Sequence, residues 1–176
     1  MAHFIKEVID VSVTPQTVRL GATANLADRL SDLDEGKFAK FAGESRYVLA
    51  AAGDLIEARI AAVEGATEGG YSIGTITKKG AMEVTFDGLQ ATPGVGVVAI
   101  GDFAVAGTVV AKGTALGNAL VKVCKGTIQP GVTEAGAVGD VNDQIKASMY
   151  AWKVVSLGSA GTGAVGTTGV IERVGA

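Results

Sequence analysis

The stretch GGYSIGTITKKGAMEVTFDG, Gly69 to Gly88, constrains the fold more than any other part of the chain. Tyr71, Ile73 and Thr75 fall on one side of an extended backbone. After Lys78-Lys79-Gly80-Ala81, Met82, Val84 and Phe86 share one side again, with Glu83, Thr85 and Asp87 opposite them. Successive side chains of a strand point to opposite faces, so this period-two pattern about a glycine-containing break predicts a β-hairpin. The hairpin has no His or Cys and no pair of carboxylates beside a nucleophile. It is expected to be scaffold.

The same grammar runs through the rest of the chain. Tyr47 to Ala66 is ambiguous: Ile56, Ile60 and Val63 have helical spacing, while Ile56, Ala58, Ile60 and Ala62 alternate with Glu57, Arg59 and Ala61. Gly53 costs a helix about 1 kcal/mol. Gly-Asp also punctuates the approach to apolar stretches at Gly53-Asp54, Gly101-Asp102 and Gly139-Asp140. A strand is therefore expected. Beyond Gly88, GVVAIG, FAVAGTVVA, ALVKVCKG, AWKVVSLG and GVIERV read as strands, with a glycine-rich loop at Gly158 to Gly169. The 26 glycines are about twice the usual ~7%, with only 3 prolines and no Gly-X-Y period, which excludes collagen. Such spacing leaves no room for βαβ units. The expected fold is mainly β, an antiparallel β-sandwich or barrel with short helical pieces near residues 25–33 and 143–149. In the first piece, Asn25 is the expected N-cap and Leu26, Leu30 and Leu33 the apolar stripe.

Residues 1–35 read differently from residues 36–176, which form the expected β-rich domain. Phe4, Ile5, Val8, Ile9, Val11, Val13 and Val18 have few local partners. Burying four such side chains would contribute roughly 1.5–3 kcal/mol each. Either they form an N-terminal arm that packs on another subunit, or Val8 to Val13 is the first strand of the chain's own sheet.

Chemistry is sparse. Gly94 to Ala99 fits G-x-G-x-x-A and Gly161 to Gly166 fits G-x-G-x-x-G. A dinucleotide site needs a strand before the motif and a helix after it, and neither flank supplies a helix, so both read as loops. Asp140-Val141-Asn142-Asp143 lacks the later ligands of an EF-hand and reads as a turn. Asp32, Asp34 and Glu35 read as a solvated acidic face. Cys124 lies between Lys122 and Lys125, which lower a thiol pKa, but His3 is the sole histidine. A small, partly buried side chain is expected there, and core or interface filler at Trp152. No catalytic set, metal site or cofactor cradle is read from the sequence, and an enzyme is not expected.

A net charge of -3 without a basic stripe argues against direct nucleic-acid binding. A single cysteine excludes an intrachain disulfide framework. Lys6, Glu7 and Asp10 come too early for a signal peptide, and no apolar run reaches ~20 residues, so no membrane association is expected.

GDLIEARIAAVE, GGYSIGTITKKGAMEVTF, GDFAVAGTVVAKGTAL, AWKVVSLG and TGVIERV, taken in this order, resemble the capsid decoration (cement) proteins of tailed bacteriophages over residues 36 to 174. The resemblance implies a β-rich structural protein, often trimeric, that binds the major capsid protein on the outside of the virion and is assembled in the host cytoplasm. It implies no catalytic residues. In such a particle the loop at 158–169 would allow backbones to approach closely on a symmetry axis. A tail or fibre subunit, or a glycan-binding β-module, has the same composition, although 5% aromatic content gives glycan binding little to work with.

Overall fold

The computed structural model describes residues 15–67, 69–126 and 152–173. Among them the fold is mainly β, as expected, and takes the form of two small barrels in tandem. Strands β1 (Gln16–Leu20), β2 (Phe38–Phe41), β3 (Arg46–Leu49), β4 (Ala58–Ala66) and β5 (Ser72–Thr77) close in the order β1-β3-β2-β4-β5. The second sheet holds β6 (Ala81–Leu89), β7 (Thr92–Pro93), β8 (Phe103–Ala106), β9 (Lys122–Lys125), β10 (Trp152–Ser156) and β11 (Thr168–Arg173). It runs β11-β10-β8-β9-β6-β7, and β11 pairs back onto β6 to close a ring. Pairing is antiparallel except at β1–β3 and β6–β9.

The two barrels have one topology. Matched in chain order, with β7 set aside, β1, β2, β3, β4 and β5 correspond to β6, β8, β9, β10 and β11. Each pairing in the first ring recurs in the second with the same sense. The registers agree too. Val18 faces Gly74 as Val84 faces Gly169, Leu20 faces Tyr47 as Phe86 faces Val123, and Ala39 faces Ala58 as Ala104 faces Trp152. A bulge falls after Ile60↔Ile76 in one barrel and after Val154↔Ile171 in the other. Hydrogen bonds outside the ladders repeat as well. Gly36 N–H donates to the Ile60 carbonyl and Gly101 N–H to that of Val154, both at 2.8 Å. At the end of the second strand, Ala42 N–H donates to Arg46 and Gly107 N–H to Lys122, again at 2.8 Å. The two barrels are an internal structural repeat.

Gly74 and Gly169 show why so little sequence is shared. A Cβ on Gly74 would lie 2.6 Å from Leu20 Cδ1 and 2.3 Å from the Ala62 carbonyl oxygen. On Gly169 it would lie 2.3 Å from Phe86 Cζ and 2.5 Å from the Ser156 carbonyl oxygen. At this position the large side chain of the first strand needs the room. Elsewhere inside the barrels any apolar side chain of suitable volume is enough.

Several expectations require correction. The alternation at Gly69 to Gly88 is real, but the two strands do not pair with each other. β5 pairs with β1 and β4, while β6 pairs with β7, β9 and β11, so Lys78–Gly80 links two barrels. Residues 16–35 are built into the first barrel: β1 bonds both β3 and β5, and Val18, Leu20 and Leu30 are buried in its core. The boundary expected at residue 35 therefore falls inside a barrel. The helical piece at 25–33 is two 3-10 turns, Leu26–Asp28 and Asp32–Asp34. Asn25 caps the first as expected, but Leu26 and Leu33 are exposed and only Leu30 is buried. GVVAIG is a loop with a single bridge, Val97↔Ala164, and the strand in FAVAGTVVA stops at Ala106. The expected helical piece at 143–149 lies outside the described residues.

The barrels are welded together rather than strung on a linker. Phe38, Ala50 and Ile56 of the first barrel belong to the hydrophobic cluster of the second, with Val84, Phe86 and Trp152. Gly53 N–H donates to the Ala106 carbonyl at 2.7 Å, and Ala106 N–H donates to the Asp54 carbonyl at 2.9 Å.

Candidate functional site

The repeat separates scaffold from elaboration. What the barrels share builds the fold, and what only one of them has is the place to look for function. The second barrel differs most in its loops. Residues 42–45 join β2 to β3 in the first barrel, whereas 107–121 join β8 to β9 in the second.

That long loop reaches back to the first barrel and completes a buried polar junction. Lys37 Nζ donates to Asp34 Oδ1 at 2.7 Å and to the Ala111 carbonyl at 2.8 Å. Gly113 N–H donates to Asp34 Oδ1 at 2.8 Å, and Ser31 N–H to Oδ2 at 3.0 Å. Lys112 Nζ also bonds the Ala27 carbonyl. Asp34 and Lys37 are both fully enclosed. Burial pushes the Asp34 carboxyl up, but the hydrogen bonds from Lys37, Ser31 and Gly113, with the Lys37 charge, outweigh it and hold the carboxyl below its usual range. Asp34 is thus a structural anchor and not part of a solvated face. Glu35 is also engaged, accepting from Val63 N–H at 2.9 Å. Asp32, Glu35 and Glu83 border an open cleft of about 490 Å³ along residues 115–120. Among the described residues no cluster of three or more His, Cys, Asp or Glu is placed to hold a metal ion.

A second buried carboxylate, Asp87, accepts from Thr108 N–H at 2.8 Å and from its hydroxyl at 2.5 Å, with Lys122 Nζ 3.6 Å away. Burial raises its pKa, and the Thr108 hydrogen bonds and the Lys122 charge reverse that to leave it lowered. Next to it lies Cys124. Its thiol is buried, 3.7 Å from the Asp87 carbonyl oxygen. Burial first, and then the Asp87 charge, push the pKa up to about 11 despite Lys122. The nearby Lys122 charge acts to lower the pKa but does not outweigh burial and Asp87. The thiol is therefore held in its protonated form near neutral pH, so native protein should resist a thiol reagent until denaturant exposes the group. Cys124→Ser should leave the fold and any binding activity intact, checked by circular dichroism and the same binding assay as wild type. Rapid labelling of native protein would contradict this reading.

The two glycine motifs meet each other as loops. Val97 bridges Ala164, and Val98 N–H donates to the Gly163 carbonyl at 2.9 Å. A Cβ on Gly163 would lie 1.7 Å from the Val98 carbonyl oxygen. The close backbone approach expected of the 158–169 loop thus occurs within the chain. Along the crest of these two loops Val95, Val97 and Ile100 are each more than 60% exposed, and Val165, next to the bridged Ala164, is 40% exposed. Val98 points inward and is buried.

Trp152 is core, as expected, and its indole Nε1–H donates to the Ile56 carbonyl at 2.9 Å. The arm residues Phe4, Ile5, Val8, Ile9, Val11 and Val13, together with His3 and the Asp140–Asp143 turn, lie outside the described residues. Sequence reading missed the apolar crest, because GVVAIG looks like a buried strand when glycine is taken only as a turn signal. No helix among the described residues is long and apolar enough to cross a membrane. No protein-family model matches the chain, and no curated protein or solved structure shows significant similarity to it.

Proposed function

We propose that this chain is a structural virion protein, one that binds the outer surface of a phage capsid and stabilises the shell. The observation that carries the reading is the set of exposed apolar side chains Val95, Val97, Ile100 and Val165 on loops of the second barrel that bridge each other. Large apolar side chains so exposed favour a protein partner. The sequence resemblance to decoration proteins supplies the identity of that partner, the major capsid protein. Many copies on one shell turn a weak contact into strong net stabilisation. In this reading the N-terminal residues Phe4 to Val13 add apolar contact to the capsid or to a neighbouring protomer.

Co-sedimentation with capsids of the virus that encodes the protein tests the reading. Deleting residues 2–13 should leave a folded protein with strongly reduced capsid binding, and Val97→Lys should weaken binding without changing the melting temperature. Full binding by both variants, or no binding by wild type, would defeat it.

A further inference from the structure

The repeated barrels carry a docking geometry that the chain uses once internally and has the surfaces to use again in part. Inside the chain, the first barrel docks through the outward side of its β2 and through the β3–β4 connection, whose Ala50 and Ile56 join the same cluster. Phe38 is 6% exposed because it points away from its own core and into the cluster of the second barrel. Its neighbour Ala39 faces the first barrel's interior. The receiving surface is the Ala106 end of β8, where the backbone bonds Gly53 and Asp54.

The β2 side and the receiving end of this junction each have an equivalent, while the counterpart of the β3–β4 connection falls outside the described residues after Gly126. By register, Phe38↔Arg59 corresponds to Phe103↔Lys153, so Phe103 stands on the second barrel where Phe38 stands on the first. Phe103 is only half-buried, and Lys153 Nζ lies over its ring at 5.1 Å. Val155, on the same face of β10, is also exposed. By the same logic Phe41↔Tyr47 corresponds to Ala106↔Val123, so Phe41 marks the receiving end of the first barrel. There a phenylalanine is 49% exposed, with its ring 5.4 Å from that of Tyr47. The small Ala106 of the occupied junction is 1% exposed.

We propose that a second copy of this chain docks head to tail, the Phe103 face of one copy on the Phe41 end of the next. This contact repeats between chains the Phe38 part of the contact that joins the two barrels within a chain. It is heterologous, so it closes into a ring or continues as a filament, each copy adding two barrels. It involves neither the Val95–Val97 crest nor the capsid, and it stands whether or not the virion reading is right.

Purified protein in light scattering and sedimentation velocity provides the test. Wild type should exceed the 17.6 kDa chain mass. Phe103→Glu and Phe41→Glu should each run as a monomer, with circular dichroism and melting temperature unchanged because both positions are partly exposed. Mixing the two single variants should restore a species of twice the chain mass, since one intact head still meets one intact tail. A face-to-face dimer would give no such rescue. As a second measurement, the Phe41→Cys, Phe103→Cys double variant should form disulfide-linked multimers under mild oxidation, with buried Cys124 left out. A monomeric wild type, assembled single variants, a mixture without rescue, or absence of cross-linking would each overturn the proposal.

Discussion

Asp34→Ala is expected to cost the fold about 3–5 kcal/mol, the usual penalty for leaving a buried charge without its partner. Lys37 would lose its counter-ion while remaining enclosed, keeping only the Ala111 carbonyl of the bonds described. Ser31 and Gly113 would lose an acceptor at the same time. A domain of this size is stable by about 5–15 kcal/mol, so the loss is a large fraction of the total. Urea melts of wild type and variant measure it directly. Replacing both Asp34 and Lys37 with apolar residues should recover much of the stability, because the ion pair itself is costly to desolvate. The pH dependence follows from the same group. Asp34 and Asp87 both have folded-state pKa values below the unfolded carboxylate value of about 3.9. Their stabilisation is therefore complete above that value and is lost as pH falls through it toward the folded values. Melting temperature should be flat near neutrality and drop below about pH 4. An Asp34→Ala loss under 1 kcal/mol, or an acid limb unchanged in that variant, would refute the assignment.

Trp152→Ala should be comparably severe, at about 3–5 kcal/mol. The indole is completely enclosed within the second barrel's cluster and bonds the backbone of the first at Ile56. Truncation opens a large cavity and leaves the Ile56 carbonyl unpaired, so it should loosen the contact between the barrels as well as one core. Trp152→Phe separates the two contributions. It keeps much of the ring volume and removes the N–H, for an expected loss of about 1–3 kcal/mol. The equivalent position in the first barrel is Ala58, so no second tryptophan can compensate. Hydrogen exchange should show faster opening near Ile56 in both variants. Protection there equal to wild type would remove Trp152 from the junction.

Alternation along single strands was legible in the sequence, and pairing between strands was not. Met82, Val84 and Phe86 face inward as their spacing requires, yet their strand avoids its nearest neighbour, β5. Period-two patterning specifies which face is buried but says nothing about which strand lies alongside. The repeat was hidden for a related reason. Gly36, Phe38 and Ala39 recur as Gly101, Phe103 and Ala104, and Gly74 and Ile76 recur as Gly169 and Ile171, but most other equivalent positions share only apolar character. Loops of unequal length break any fixed period. Asp34 was misread because three acidic residues in a row of four look solvated until a lysine three positions on and a loop nearly eighty residues away enclose one of them. Cys124 was read as a small, partly buried side chain, and it is buried beside the equally buried Val123 on β9, where the alternation breaks.

Closure of both rings also bears on behaviour in concentrated solution. An open sheet ends in a row of unpaired backbone groups, which invites indiscriminate strand addition and, eventually, fibrils. Here each of the ten ring strands has a hydrogen-bonded neighbour on both sides. The outlying β7 is a two-residue stub that ends in Pro93, a residue with no N–H to donate. Recognition by the described barrels must then run through side chains, whose shapes discriminate, and hardly at all through the backbone, which is the same in every protein. A glycine-rich β chain can in this way be crowded against many copies of itself and still not polymerise by the wrong route.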